Sequence, residues 1–165
     1  MSMHRAQRGG SRWVDQREGC IMGTVVAVCT SEIKGIQKAE TTGIDLVADH
    51  GIEGDAHAGK WHRQVSLLAA ERIQEFKDRG ADVDNGAFGE NIIVEGLGDL
   101  KSYPLGTRFT CGDAVLELAQ IGKECHAHCA IYHAMGDCIM PREGVFCRVI
   151  EGGHVAPGSP IEPIV

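Results

Sequence analysis

Leu105-Gly106-Thr107-Arg108-Phe109-Thr110-Cys111-Gly112-Asp113-Ala114-Val115-Leu116-Glu117-Leu118-Ala119-Gln120-Ile121 is the stretch that decides the fold. Two β-prone runs flank a short glycine-containing turn at Cys111-Gly112-Asp113, which predicts a β-hairpin. In the second arm Leu116 and Leu118 face one way and Glu117 the other, the period of a strand with one buried face. Similar runs lie on both sides. Asn91-Ile92-Ile93-Val94-Glu95 reads as a strand closed by Gly96 and Gly98, and Val145 to Ile150 as another before the Gly152-Gly153 turn. Gly23-Thr24-Val25-Val26-Ala27-Val28-Cys29 is β-branched and reads as a buried strand, with structure beginning near Ile21. Thr41 to Gly54 reads as short strands joined by turns at its glycines. One clear helix is expected from Ser66 to Arg79. Ser66 would cap it, Ala69, Ile73 and Phe76 recur on one face, Glu75 and Arg79 would pair, and Gly80 ends it. A second short helix is expected over Cys125 to Met135. Closely spaced strands with one or two short helices predict a mainly β (α+β), barrel-like fold.

Composition agrees with that fold class. The 165 residues suit one domain; residues 21–165 are read as that domain and residues 1–20 as a poorly ordered tail. Glycine, at 22 residues, is about twice its usual share, whereas two Trp, two Tyr and four Phe are a thin aromatic supply. Net charge is −7, divided as +2 over residues 1–20 and −9 over the rest. An acidic body argues against nucleic acid as a partner. No apolar run approaches a membrane span, and the tail has no apolar core of a secretory signal, so a cytoplasmic protein is expected. Seven cysteines is an odd number, and outside an exported protein it points to thiols or a metal site rather than a disulfide framework.

Three clusters carry chemistry. The densest is Gly122-Lys123-Glu124-Cys125-His126-Ala127-His128-Cys129. On a helical turn Cys125 and Cys129 share a face with His128 beside them, a set that suits zinc, with Cys138 as a further candidate ligand. Against zinc, the chain has no Cys-x2-Cys knuckle. The other reading makes Cys125 a reactive thiolate at a helix start, its pKa lowered by Lys123, His126 and His128. Cys29, Cys111 and Cys147 fall in or beside strands and read as small core residues. The second cluster, Gly54-Asp55-Ala56-His57-Ala58-Gly59-Lys60-Trp61-His62-Arg63, is a glycine-bounded loop in which His57, His62 and Arg63 suit an anion such as phosphate. Asp55 there reads equally well as closing an Asx-turn. The third, Met140 to Arg148, adds Arg142 and Arg148, each either a ligand contact or a surface charge.

Taken in order, Gly51 to Gly59, Gln64-Val65-Ser66-Leu67-Leu68, Phe88-Gly89-Glu90-Asn91-Ile92, Gly112 to Glu117, Cys125, and Gly144 to Gly153 resemble the signature of the MOSC domain, the module at the C-terminal end of molybdenum-cofactor sulfurases. The resemblance runs from about Ile21 to Ile161 and suggests a stand-alone member. It implies a β-barrel and an association with the molybdenum cofactor, whose sulfur or metal is held in larger relatives by one cysteine; some relatives reduce N-hydroxylated compounds. That cysteine corresponds to Cys125, with His57, Arg63, Lys123, Arg142 and Arg148 as expected cofactor contacts. A small-molecule substrate, or a cofactor-biosynthesis or molybdoenzyme protein, would be the partner. Two departures leave the reaction open: Glu124 stands where many relatives have proline, and many lack a counterpart of Cys129. Zinc held by Cys125, His128 and Cys129 remains the alternative. If the cofactor reading is right, His57, Arg63 and Cys125 should meet around one pocket at one end of the barrel.

Overall fold

The computed structural model describes residues 21–124 and 130–164. The expectation of a loose tail over residues 1–20 lies outside the described residues. The strands are β1 (Gly23–Thr30), β2 (Ala39–Thr41), β3 (Ile44–Val47), β4 (Gly51–Ile52), β5 (Val65–Ala69), β6 (Ile92–Glu95), β7 (Arg108–Cys111), β8 (Ala114–Ile121), β9 (Val145–Glu151), β10 (Gly153–Val155) and β11 (Pro160–Pro163). Among the described residues three α-helices accompany them, α1 (Ala70–Asp78), α2 (Ala130–Met135) and α3 (Met140–Glu143), with a 3-10 turn at Leu100–Ser102. The order β11-β7-β8-β9-β5-β6-β1 closes on itself because β1 also pairs with β11, Gly23 opposite Ile161. This seven-stranded barrel carries β2 as an extension of β1, and β10-β3-β4 form a small separate sheet.

The hairpin that anchors the sequence reading is β7–β8, with Arg108 opposite Glu117 and Cys111 opposite Ala114. Leu116 and Leu118 are buried inside, while Glu117 accepts from Arg108 Nε at 3.0 Å on the other face. Gly112 makes the turn at φ +54°, and a side chain there would meet the His154 carbonyl at 2.7 Å.

The expected helix from Ser66 to Arg79 needs correction at its start. Val65–Ala69 is strand β5, and α1 begins only at Ala70 with no side-chain cap. Every residue of β5 is buried, because both of its faces are covered. Such a strand loses the alternation that would mark it and reads as a continuous apolar run. The expected Glu75–Arg79 pair is also replaced: Glu75 accepts from Arg72, and Arg79 donates to Asp137. Ile73 and Phe76 do form the buried face of α1. The helix links β5 to β6, the barrel's one parallel pair, as a crossover must.

Two cores result. Val65, Leu67, Ile92, Val94, Leu116, Leu118, Val145, Cys147 and Val149 belong to the one that fills the barrel. Alternate residues of the same strands, Ala27, Leu68, Ile93 and Phe146, point outward into a second core with Ile73, Phe76, Phe88, Ile131 and Met140. The α-helices and the segment before β6 are therefore packed on the outside of the wall. Among the described residues no helix is long and apolar enough to cross a membrane.

Candidate functional site

A cleft of about 760 Å³ opens against the outer wall, beside the second core. It lies outside the wall, because the barrel interior is filled by the first core. Ser66 on β5, Asn91 before β6 and Phe146 on β9 form its floor. Ser66 and Phe146 are cross-strand partners. Ser66 N and Oγ donate to Asn91 Oδ1 at 3.0 and 3.1 Å, and Asn91 Nδ2 donates to the Cys29 carbonyl at 3.1 Å. The floor is thus polar where the sheet would otherwise continue its apolar face, and its hydrogen bonds are satisfied.

One side of the cleft is the glycine-bounded loop before β5. Asp55 does more than close a turn. Its Oδ2 accepts from His57 N at 3.0 Å, and its Oδ1 accepts from Ser31 N at 3.1 Å and from Lys38 Nζ at 2.7 Å. Both side chains of this ion pair are buried, 1% exposed for Lys38 and 0% for Asp55. Burial alone would raise the Asp55 carboxyl, but hydrogen bonds from His57 and Lys38 outweigh it and hold the group far below the usual carboxylate range. His57 itself is about one-third exposed, with Nδ1 3.0 Å from Lys38 Nζ. Trp61 Nε1 donates to the His57 carbonyl at 2.7 Å, and the two rings lie nearly parallel. Arg63 stacks its guanidinium 4.6 Å from the Trp61 ring centre and 5.6 Å from that of Phe146. Its Nε is buried and lacks a hydrogen-bond partner among the described residues. Lys34 Nζ adds a further cation 5.7 Å from the Trp61 ring centre.

The opposite side is the segment that leaves β8. Gln120 Oε1 lies 2.6 Å from His62 Nε2, and Gln120 Nε2 donates to the Gly122 carbonyl at 2.7 Å. Gly122 adopts φ +68°, and a Cβ would meet the Pro141 carbonyl at 2.5 Å, so only glycine fits the bend. The Gly122 and Lys123 amides then donate to Gly144 O and Pro141 O. This bend puts Lys123 and Glu124 on the cleft.

The structure therefore brings His57, Arg63 and Lys123 to one cavity. Arg142 and Arg148, which the sequence offers with Lys123 as weaker candidates, do not line this cleft. Arg142 binds Asp137 at 2.5 Å and lies 3.7 Å from Glu143, outside the cleft lining. Arg148 is exposed on β9 opposite Glu117. Both follow local geometry that residue type does not encode. Cys125, and with it His126, His128 and Cys129, lies outside the described residues. Among the described residues no group of three or more His, Cys, Asp or Glu side chains is placed to hold a metal ion.

Burial pushes the Cys29 and Cys111 thiols up to about 12, and Cys147 further in the same direction, as suits core thiols. Cys138 lines the cleft. Sequence reasoning missed Lys34, Lys38 and Trp61. A tryptophan four residues after a histidine in a glycine-bounded loop was the available signal for Trp61. Lys38, in a polar stretch, offered none. It also missed Glu90, fully buried beneath the cleft segment. Its Oε1 accepts from Phe88 N at 3.0 Å, its Oε2 has no partner among the described residues, and burial raises its carboxyl to about 7.

Comparison with known proteins gives a consistent result. The family model described as "MOSC domain" matches residues 54–162. The uncharacterized protein YflK of Bacillus subtilis is 28% identical over 141 residues, covering 78% of this chain and 62% of YflK. The chain thus spans less than two-thirds of that relative's length. Among solved structures, the YuaD protein from Bacillus subtilis superposes with a TM-score of 0.73 at 20% identity, covering 87% of this chain and 96% of that one. YiiM from Geobacillus stearothermophilus gives 0.67 at 21%, covering 87% and 75%. These two likenesses concern the fold.

Proposed function

The chain belongs to the MOSC domain family, and from that premise we propose that it binds the molybdenum cofactor, or passes on its sulfur, in the cleft on the barrel's outer wall. Arg63, Lys123 and His57 would bind the cofactor's phosphate, and Cys125 would supply the thiolate for molybdenum or for sulfane sulfur. The observation that carries this reading is Arg63. Its guanidinium lies over the rings of Trp61 and Phe146 with Nε buried and unpartnered among the described residues, in a protein of net charge −7. A cation so placed calls for an anion, and Lys34 and Lys123 line the same cleft. Bound there, the cofactor supplies a redox-active metal and a transferable sulfur ligand. The chain's own residues would hold its phosphate through Arg63, Lys123 and His57, with Trp61 and Phe146 fixing Arg63. Two uses of the site fit this chemistry: delivery of sulfur to a molybdoenzyme or cofactor-biosynthesis partner in the cytoplasm, and reduction of a small N-hydroxylated compound.

The test is the content of protein purified from a host that makes molybdopterin. Denaturation and oxidation should release a fluorescent pterin, near one per chain, from the native protein. Arg63→Ala should lose most of it. Cys125→Ser should lose the molybdenum or labile sulfur while the fold stays intact. No pterin, with one zinc per chain that Cys125→Ser abolishes, would overturn the reading and assign Cys125, His128 and Cys129 to zinc.

A further inference from the structure

The buried Lys38 ammonium has three protons and three acceptors around it. Asp55 Oδ1 lies at 2.7 Å, His57 Nδ1 at 3.0 Å and Ser31 Oγ at 3.4 Å. An ammonium only donates, so at 3.0 Å His57 Nδ1 accepts. Asp55 Oδ2 is 3.7 Å from Nδ1, beyond hydrogen-bond reach, and already accepts from His57 N. A proton on Nδ1 would set two donors against each other and deprive the ammonium of an acceptor. Rotating the ring by half a turn would place a carbon against Lys38 instead. The remaining ring nitrogen, Nε2, is the one left for a ligand, in a residue that lines the cleft.

We infer that Lys38, itself fixed by Asp55, is a positioning residue that locks His57 as the Nε2–H tautomer, so that His57 meets its ligand as a hydrogen-bond donor to an oxyanion and not as a base. This inference rests on the anion-binding reading of the cleft and adds the direction of the hydrogen bond. It restricts the ligand at that point to a group with an acceptor oxygen, such as a phosphate. It also excludes His57 from removing a substrate proton while Lys38 occupies Nδ1.

The experiment uses the full chain with ¹⁵N-labelled histidine. Long-range proton–nitrogen correlation spectra report which ring nitrogen carries the proton, and His57→Gln identifies the signal. The native protein should show His57 protonated at Nε2, with Nε2 shifting on titration with inorganic phosphate. The paired variant Lys38→Met/Asp55→Asn removes both charges, so neither is left buried alone. It should lose the fixed tautomer and bind phosphate roughly tenfold more weakly, the worth of one hydrogen bond to a charged group. Should that variant fail to fold, the native spectrum still decides, since a proton on Nδ1 there overturns the inference. A folded variant with the native tautomer and native phosphate affinity overturns it too. A native Nε2–H ring that is lost in the variant, in a protein that binds no phosphate, supports the positioning role and refutes the anion reading instead.

Discussion

Replacing Glu90 with glutamine should remove a pH dependence of stability that is built in beneath the cleft. The wild-type carboxyl is fully buried, with one oxygen bonded to Phe88 N and the other without a partner among the described residues. Burial raises it from an ordinary value of 4.5 to about 7. Between those two values the folded protein holds a proton that the unfolded chain has released. Stability therefore falls as pH rises through this window and levels off above it. At about 1.4 kcal/mol per tenfold change, the full loss is roughly 3 kcal/mol. The depressed carboxyls of Asp55 and Asp137 work in the opposite sense, but only at more acid pH, where they begin to protonate in the unfolded chain. Glutamine has nearly the same shape and no charge to bury. Urea unfolding of both proteins from about pH 5 to about pH 8, extrapolated to water, should find them similar at the acid end. At the alkaline end the variant should be more stable by roughly 3 kcal/mol. Parallel profiles for the two proteins would refute the reasoning, because they would mean that Glu90 ionises in the fold as easily as in the open chain.

Gly122→Ala should cost about 2 kcal/mol or more in thermal or urea unfolding, since it combines a left-handed conformation with a backbone overlap at the Pro141 carbonyl. Gly54→Ala, also left-handed but with nothing near its Cβ, should cost only about 1 kcal/mol, and equal losses would refute the account of the bend. Leu68→Ala, in the outer core, should cost about 2–5 kcal/mol and establish that this layer is part of one cooperative fold. Alkylation near neutral pH, mapped by mass spectrometry, should label Cys125 first and Cys138 later. Cys29, Cys111 and Cys147 should label only in denaturant, and fast labelling of Cys147 in folded protein would contradict its place inside the barrel.

The barrel was readable in the sequence wherever a strand had one covered and one open face. Leu116, Glu117 and Leu118 announce β8 for that reason, and the glycine turn beside them fixes the hairpin. β5 escaped because a second core covers its outer face, so Ser66 to Ala69 could be joined to the true helix behind it. At the cleft, residue type and glycine spacing singled out His57 and Arg63 and, less firmly, Lys123, and all three line it. They offered Arg142 and Arg148 on the same footing as Lys123, because a positive charge is the same letter whether it lines a cavity or stands on the surface. Lys38 shows the converse. Nothing in Ile36-Gln37-Lys38-Ala39-Glu40 marks its lysine as buried, and what buries it is an aspartate seventeen positions away.

The same two-core construction explains where the site stands. A seven-stranded barrel this small fills its interior with side chains, so groups that meet a ligand must project from the wall. Most of that outer wall is taken by the second core. One row interrupts it: Asn91, Ser66 and Gln120, just before β6, on β5 and on β8, lie side by side with Phe146 of β9, which sits at the edge of that core. Polar residues in this row stop the outer core from spreading over it, and each binds a neighbouring segment. Asn91 reaches back to β1 through the Cys29 carbonyl, while Gln120 bridges His62 in one loop to Gly122 in the other. Phe146, the one aromatic in the row, becomes a platform for Arg63. The residues that interrupt the apolar face are thus the ones that hold the cationic loops over it, and the cleft forms where the outer core ends.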